Sequence, residues 1–150
     1  MDKADLFTRL NLSKEELLIK CNKANRNTLM ETLGIQFTDV GDDFLVATLL
    51  VTPTVHQPMG ILHGGATAAL AETVGSLASI LNLEAENKMV KGVELSINHL
   101  KSVKEGIIRA EAKIQHKGRT LHLWEIKVYD EANNLIAISK LSNIVLDKKR

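Results

Sequence analysis

This sequence has few cysteines, few prolines and little net charge, which argues against a disulfide, a division into domains and a nucleic-acid partner, respectively. Cys21 is the only cysteine among 150 residues, so no internal disulfide can form and a reducing compartment, the cytoplasm, is expected. The two prolines, Pro53 and Pro58, lie close together, and no low-complexity tract divides the chain. We therefore expect a single domain over residues 1–150, with an N-terminal helical segment over 1–33. The formal net charge of +1 gives no reason to expect a nucleic-acid partner.

Long apolar runs without polar residues are also missing. No apolar segment follows the charged residues at the start of the sequence, so no targeting signal is expected there. The most apolar stretch, residues 64–83, contains one glutamate and four hydroxyl side chains, which disfavour membrane insertion. Small and apolar residues recur through this stretch without leaving a polar face. The pattern therefore predicts a core helix that is buried on all sides, and no membrane association.

Glu72 is the only ionisable residue in that predicted helix. Burial of an unpaired carboxylate is costly, so Glu72 is expected either to act as a catalytic acid or base or to cap a neighbouring backbone. Ser76 lies one helical turn later on the same face. Its hydroxyl is therefore placed to hold a water molecule beside the carboxylate.

The segment before the helix supplies the rest of a candidate site. His56 and Gln57 lead into a turn, and His63, Gly64 and Gly65 stand where the helix begins. Two glycines let a backbone approach a ligand closely, and unpaired N–H groups at a helix N-terminus can hold a developing oxyanion. The same glycines also suit a tight helix entrance without any function. His63 either acts on a substrate or fixes the loop by donating to a backbone carbonyl, and His56 lines the entrance.

Together these residues resemble the motif of the hotdog-fold acyl-CoA thioesterases, in the group that contains 4-hydroxybenzoyl-CoA thioesterase and 1,4-dihydroxy-2-naphthoyl-CoA hydrolase. The resemblance covers about Leu33 to Val145, and the matching positions are Gln57, the His63-Gly64-Gly65 turn, Glu72 and Ser76. It implies hydrolysis of a thioester, with coenzyme A as the leaving group and no metal or redox cofactor. An aromatic acyl group is implied by the resemblance alone, and a medium-chain acyl group is a further candidate.

The resemblance also implies a role for each residue. The Gly64 N–H would polarise the thioester carbonyl, Gln57 would orient the thioester, and Ser76 would help to place water. Glu72 would be the nucleophile or the general base. In this family the site lies between subunits of a dimer or tetramer, so Gln57 and Gly64 of one chain would face Glu72 and Ser76 of another.

The remaining pattern predicts an α+β architecture. A capping box at Ser13–Glu16 predicts a helix over about 14–25, and a second box at Thr28–Glu31 predicts a short helix that Gly34 ends. Two strands are predicted before the central helix and four meandering strands after it, near 35–38, 44–51, 93–99, 108–114, 120–129 and 135–145. An antiparallel sheet curled around one long helix, the hotdog fold, fits this order. Because one layer of sheet cannot cover such an apolar helix, at least a dimer is expected.

The turn at Lys117–Thr120 combines two cations, backbone amides and a hydroxyl, which suits phosphate contacts but also suits a solvated hairpin. The resemblance places the nucleotide part of CoA at this turn, which favours Gly118, Arg119 and Thr120, and Lys101 and Arg150 are further candidates. No recognised metal-ligand spacing is present, and three histidines are expected to be ordinary strand residues: His99, His116 and His122.

Two other functions remain open at this point. A noncatalytic acyl-CoA-binding hotdog module is typical of chains that lack the acidic residue, whereas Glu72 is present here. A hotdog dehydratase or hydratase would pair a histidine with an acidic residue across the subunit interface, and its usual motif is not seen.

Overall fold

The computed structural model describes residues 4–148, and the candidate Arg150 lies outside that range. Its strands are β1 (Gln36–Val40), β2 (Phe44–Val51), β3 (His56–Gln57), β4 (Ile61–Leu62), β5 (Lys88–His99), β6 (Gly106–Lys117), β7 (Leu121–Tyr129) and β8 (Leu135–Asp147). Six of them form one antiparallel sheet in the order β1-β2-β6-β7-β8-β5, and β3 pairs with β4. The sheet packs around the helix α4 (Gly64–Leu81). The expected α+β arrangement, an antiparallel sheet around one long helix, is therefore confirmed.

Three short helices precede the sheet: α1 (Leu6–Leu10), α2 (Lys14–Ala24) and α3 (Leu29–Leu33). The first capping box is confirmed, because the Ser13 hydroxyl accepts from the Glu16 N–H and the Glu16 carboxylate accepts from the Ser13 N–H. Helix α1 was not predicted, since five residues are too few to show a helical period.

The prediction of a second capping box at Thr28–Glu31 is wrong. The Thr28 side chain makes no capping bond to α3 and donates instead to the Asn25 carbonyl. Glu31 accepts a hydrogen bond from the Asn27 N–H at 2.7 Å, one residue earlier than a box requires. The side chains of Thr28 and Glu31 bond to backbone groups of the preceding turn instead of to each other's backbone, which the sequence spacing alone does not reveal. Gly34 ends α3 with a φ of 68°, as predicted.

The predicted meander is right for β6, β7 and β8 but wrong for β5. Strand β5 pairs with β8 at the far edge, and β6 pairs with β2. Residues 100–105 therefore carry the chain from one edge of the sheet to the strand beside β2. Strand β5 is also longer than predicted, and a β-bulge between Gly92 and Glu94 interrupts its register with β8.

Helix α4 is not buried on all sides, so that prediction is wrong for the single chain. One face packs into the sheet through residues such as Leu70, Val74 and Ala78, in a core that includes Trp124. The opposite face remains partly or fully exposed, and Glu72 and Ile80 lie on it. Within residues 4–148 no helix is long and apolar enough to cross a membrane.

The two edges of the main sheet differ. Along β1, the carboxamide of Asn22 on α2 donates to the Phe37 carbonyl at 2.9 Å and accepts from the Phe37 N–H at 2.8 Å. The side chain thus occupies the backbone groups that another strand would use. Strand β5, at the other edge, has only β8 as a neighbour in the described chain. The sheet is blocked at β1 and open at β5.

Candidate active site

The N-terminus of α4 presents one unpaired amide. His63 is the N-cap, and its Nδ1 accepts from the Gly65 N–H at 2.7 Å. Its carbonyl accepts from the N–H groups of Ala66 and Thr67. Among the described residues, nothing accepts a hydrogen bond from the Gly64 N–H. This single free donor stands at the positive end of the helix dipole, where a carbonyl oxygen that gains negative charge is stabilised.

The glycine pair makes room for two imidazole rings. A Cβ on Gly64 would lie 2.9 Å from His99 Nε2, and a Cβ on Gly65 would lie 2.8 Å from His63 Nδ1. His63 therefore fixes the turn, but it does so by accepting from an amide rather than by donating to a carbonyl. His56 performs a similar role in the approach, where its Nε2 lies 2.8 Å from the Lys104 carbonyl oxygen.

The oxygen of the Gln57 carboxamide is hydrogen-bonded within the turn, whereas its nitrogen is not. Its Oε1 accepts a hydrogen bond from the Met59 N–H within the turn. Because the backbone N–H can only donate, this contact fixes which end of the carboxamide is oxygen. No described residue accepts a hydrogen bond from its NH₂ group, which therefore remains available as a donor. Gln57 lines a groove of about 300 Å³ together with Gly64, Thr67, His99 and Lys101.

Glu72 and Ser76 lie in a second, mostly apolar groove of about 440 Å³ between α4 and the N-terminal helices. Its walls are formed by Cys21, Ala24, Asn25, Leu29, Met30, Phe37, Ala69, Thr73, Leu77 and Ile80. Burial raises the pKa of the Cys21 thiol, so this side chain acts as a small apolar group rather than as a nucleophile. Glu72 is the only carboxylate in the groove.

Glu72 is exposed in the single chain, so its expected burial is not observed. No described residue donates a hydrogen bond to its carboxylate, and it forms no ion pair within residues 4–148. A structural capping role for Glu72 therefore has no support in the described chain. The carboxylate remains available for chemistry.

The two grooves hold separate halves of the predicted site. Glu72 follows Gly64 by eight residues on one helix, a separation of about 12 Å along the axis. A thioester carbonyl that accepts from an amide and is attacked at carbon needs the two groups within roughly 3 Å of its atoms. The Gly64 amide and the Glu72 carboxylate of one chain therefore cannot act on the same carbonyl.

The candidates for CoA binding are also separated. Arg119 and Thr120 are exposed near the start of β5, whereas Lys101 follows the other end of this strand and lies 3.4 Å from Asp130. Arg119 and Gly118 line a groove with Lys88. The Gly118 N–H is already bonded to the Leu121 carbonyl, so the turn offers fewer free amides than expected.

His99 is the residue that sequence reasoning overlooked. It ends β5, as a strand histidine should, but its ring lies against Gly64 in the first groove. His116 is exposed and His122 is buried, and burial lowers the pKa of His122. Among residues 4–148 no cluster of three or more histidine, cysteine, aspartate or glutamate side chains could hold a metal ion.

Comparison with known proteins gives one consistent result. A family model described as the thioesterase superfamily matches residues 59–137. The chain is 44% identical over 125 residues to the proofreading thioesterase EntH of Cronobacter turicensis, which covers 83% of this chain and 90% of that protein. It is 39% identical over 125 residues to the 1,4-dihydroxy-2-naphthoyl-CoA hydrolase of Escherichia coli, with 83% and 91% covered. A crystallised thioesterase of Haemophilus influenzae superposes with a TM-score of 0.84 at 37% identity, over 93% of this chain and 94% of that one.

Proposed function

The chain belongs to the thioesterase superfamily, and from this premise we propose that it hydrolyses an acyl-CoA to a free acid and coenzyme A. It is a thioesterase with the hotdog fold. The observation that carries the proposal is the pair of half-sites on α4. One half offers the free Gly64 amide, and the other offers the unpaired Glu72 carboxylate in an apolar groove.

In the proposed reaction, the thioester oxygen accepts a hydrogen bond from the Gly64 N–H as negative charge develops on it. The free NH₂ group of Gln57 donates a second hydrogen bond to the thioester. Glu72 then removes a proton from water held near Ser76 or attacks the carbonyl carbon itself. If water attacks, the C–S bond then breaks, the free acid forms, and the sulfur of coenzyme A takes the proton held by Glu72. If Glu72 attacks, breakage of the C–S bond leaves an anhydride between Glu72 and the acyl group, and water opens this anhydride to the free acid and releases the proton that the sulfur accepts. Coenzyme A arrives as part of the substrate, so we propose no resident cofactor or metal.

The acyl group is proposed to occupy the apolar groove beside Glu72. Leu29, Met30, Phe37, Leu77 and Ile80 give this groove an apolar lining without a second charge. Such a lining favours an aromatic or medium-chain acyl group over a charged one. Neighbouring chain lengths should differ by about 1 to 3 kcal/mol per methylene group, so the enzyme is expected to accept several substrates.

A second copy of the chain is proposed to complete the site. The open β5 edge and the exposed face of α4 are the two surfaces that one sheet leaves uncovered. Pairing across a two-fold axis would bring Gln57 and Gly64 of one chain opposite Glu72 and Ser76 of the other. A cytoplasmic location is retained as a proposal from the single cysteine.

The test replaces Glu72 by glutamine, which keeps the shape of the side chain and removes its basicity. Glu72→Gln should lower kcat by about a hundredfold or more, because the base or nucleophile is lost. Free CoA is measured across aryl-CoA and fatty acyl-CoA substrates, together with an enoyl-CoA to test hydration. Glu15→Gln, on the exposed face of α2, is the matched control and should leave kcat unchanged. Near-normal turnover by folded Glu72→Gln, or hydration without thioester cleavage, would overturn the proposed function.

A further inference from the structure

A buried polar cluster lies behind the exposed face of α4. Ser79 Oγ accepts from Trp124 Nε1 at 2.7 Å and from Asn143 Nδ2 at 2.8 Å. A serine oxygen has two acceptor positions, so both are filled and its hydroxyl hydrogen is left for the third neighbour. That neighbour is His122 Nδ1 at 3.1 Å, which must therefore be the unprotonated nitrogen of a neutral ring. Burial lowers the pKa of His122, in agreement with this assignment.

The same cluster fixes the orientation of the Asn143 carboxamide. Its Nδ2 donates to the Gly75 carbonyl at 3.1 Å as well as to Ser79 Oγ. The opposite orientation would place two carbonyl oxygens against each other, so the nitrogen must face α4. Both N–H groups of the amide are thus engaged. Asn143 Oδ1 is buried and, within the described chain, has no hydrogen-bond partner.

The unpartnered oxygen faces Gly92 on the neighbouring strand β5, where Gly92 pairs with Asn143. A Cβ on Gly92 would lie 3.5 Å from Asn143 Oδ1 and 3.0 Å from Glu72 Oε1. Both oxygens therefore lie within 3.5 Å of one point, beside a residue that has no side chain. An ionised carboxylate and an amide oxygen both only accept, so they form no hydrogen bond in that state.

We propose that Asn143 is a positioning residue for Glu72, whose carboxyl group donates a hydrogen bond to the buried Asn143 Oδ1 while it holds the proton taken from water. This inference rests on the proposed function and selects its general-base route. A water O–H bond breaks, the proton moves to Glu72, and the water oxygen bonds to the carbonyl carbon. The C–S bond then breaks, and the departing sulfur receives the proton from Glu72. Asn143 exchanges no proton and stabilises only the protonated carboxyl group.

The primary test is Asn143→Leu, which keeps the approximate volume of the side chain and removes its acceptor. We expect kcat to fall about tenfold with KM within about twofold, because the lost bond exists only during the reaction. Ser79→Ala is the matched control within the same cluster, since it leaves Asn143 its bond to the Gly75 carbonyl. This control should lower the melting temperature through the unpaired Trp124 and Asn143 donors while keeping kcat within about twofold.

Gly92→Ala provides an independent variant if Asn143→Leu fails to fold. Gly92 has no positive φ, so alanine is compatible with its backbone. The added methyl group would lie 3.0 Å from Glu72 Oε1, a contact close enough to shift the Glu72 carboxyl group away from Asn143. It should reproduce the loss in kcat without the loss in melting temperature that a broken cluster causes.

A single turnover in ¹⁸O-labelled water with excess enzyme tests the route directly. General-base catalysis places the label in the acid product, whereas an anhydride that water opens at the Glu72 carbonyl places the label in the enzyme. An unlabelled product, or an unchanged kcat in Asn143→Leu, would overturn the role of Asn143. The proposed function is tested separately, because an inactive Glu72→Gln enzyme would still support it. Equal losses of kcat in Asn143→Leu and Ser79→Ala would likewise reduce Asn143 to a structural role.

Discussion

Arg119 is exposed at the Lys117–Thr120 turn, at the opposite end of β5 from His99. If it contacts CoA phosphates, Arg119→Ala should raise KM about tenfold and leave kcat unchanged, because the contact is present in both ground and transition states. The increase should disappear with a pantetheine thioester that lacks the nucleotide. Lys113→Ala, an exposed cation on β6, serves as the control. No rise in KM on either substrate would leave the turn as a solvated hairpin, and an equal rise on both would exclude the phosphate contact.

Single residues were predictable where their chemistry depends on near neighbours. Residue type and spacing pointed to Gly64 and Glu72, which lie on one helix, and the family resemblance added Gln57; the catalytic roles of all three stay predictions. His99 was missed because its contact with Gly64 depends on the path of β5 beside α4, which lies far along the chain. The exposure of Glu72 was missed for a related reason, since an apolar sequence does not reveal whether its own sheet covers every face of a helix.

Helix α2 occupies the outer backbone groups of Phe37 on β1 through the Asn22 carboxamide, and this contact can be tested. Asn22→Ala removes two hydrogen bonds to Phe37 and should lower the free energy of unfolding by about 1 to 3 kcal/mol. Thermal unfolding should show a lower midpoint, while kcat should change little because Asn22 lines neither half-site. Lys20→Ala, on an exposed position of the same helix, should leave the midpoint unchanged. An unchanged midpoint in Asn22→Ala would show that the contact adds no stability.

At the scale of whole elements, local signals predicted helices better than they predicted pairing. The Ser13 box and Gly34 lie within one turn of the helix ends they mark, so α2 and α3 were predicted nearly in full. The alternation in β5 predicted a strand but not its partner, because the choice of β8 depends on how residues 100–105 cross the sheet. The β-bulge after Gly92 is also not visible in the alternation of apolar and polar residues along β5.

If the site is divided between two chains, as we propose, two impaired variants should complement each other. Gln57→Ala and Glu72→Gln chains, carrying different tags and purified as a mixed pair, should contain one site with both changes and one site with neither. The mixed pair should therefore recover about half of the wild-type kcat, although each parent is impaired. Light scattering checks that the purified species is an oligomer. A mixed pair no more active than the average of its parents would show that each site lies within one chain.

The difference between the two sheet edges limits how large an assembly can grow through strand pairing. A sheet with two free edges can add copies without end and form a ribbon. Here the Asn22 carboxamide occupies the Phe37 backbone groups at one edge, and only β5 can accept a neighbour. When two copies join through β5, each presents a blocked β1 to the outside, and no strand remains to continue the sheet. A helix side chain therefore limits growth of the sheet by strand pairing, while the edge at β5 stays free to pair with a second copy.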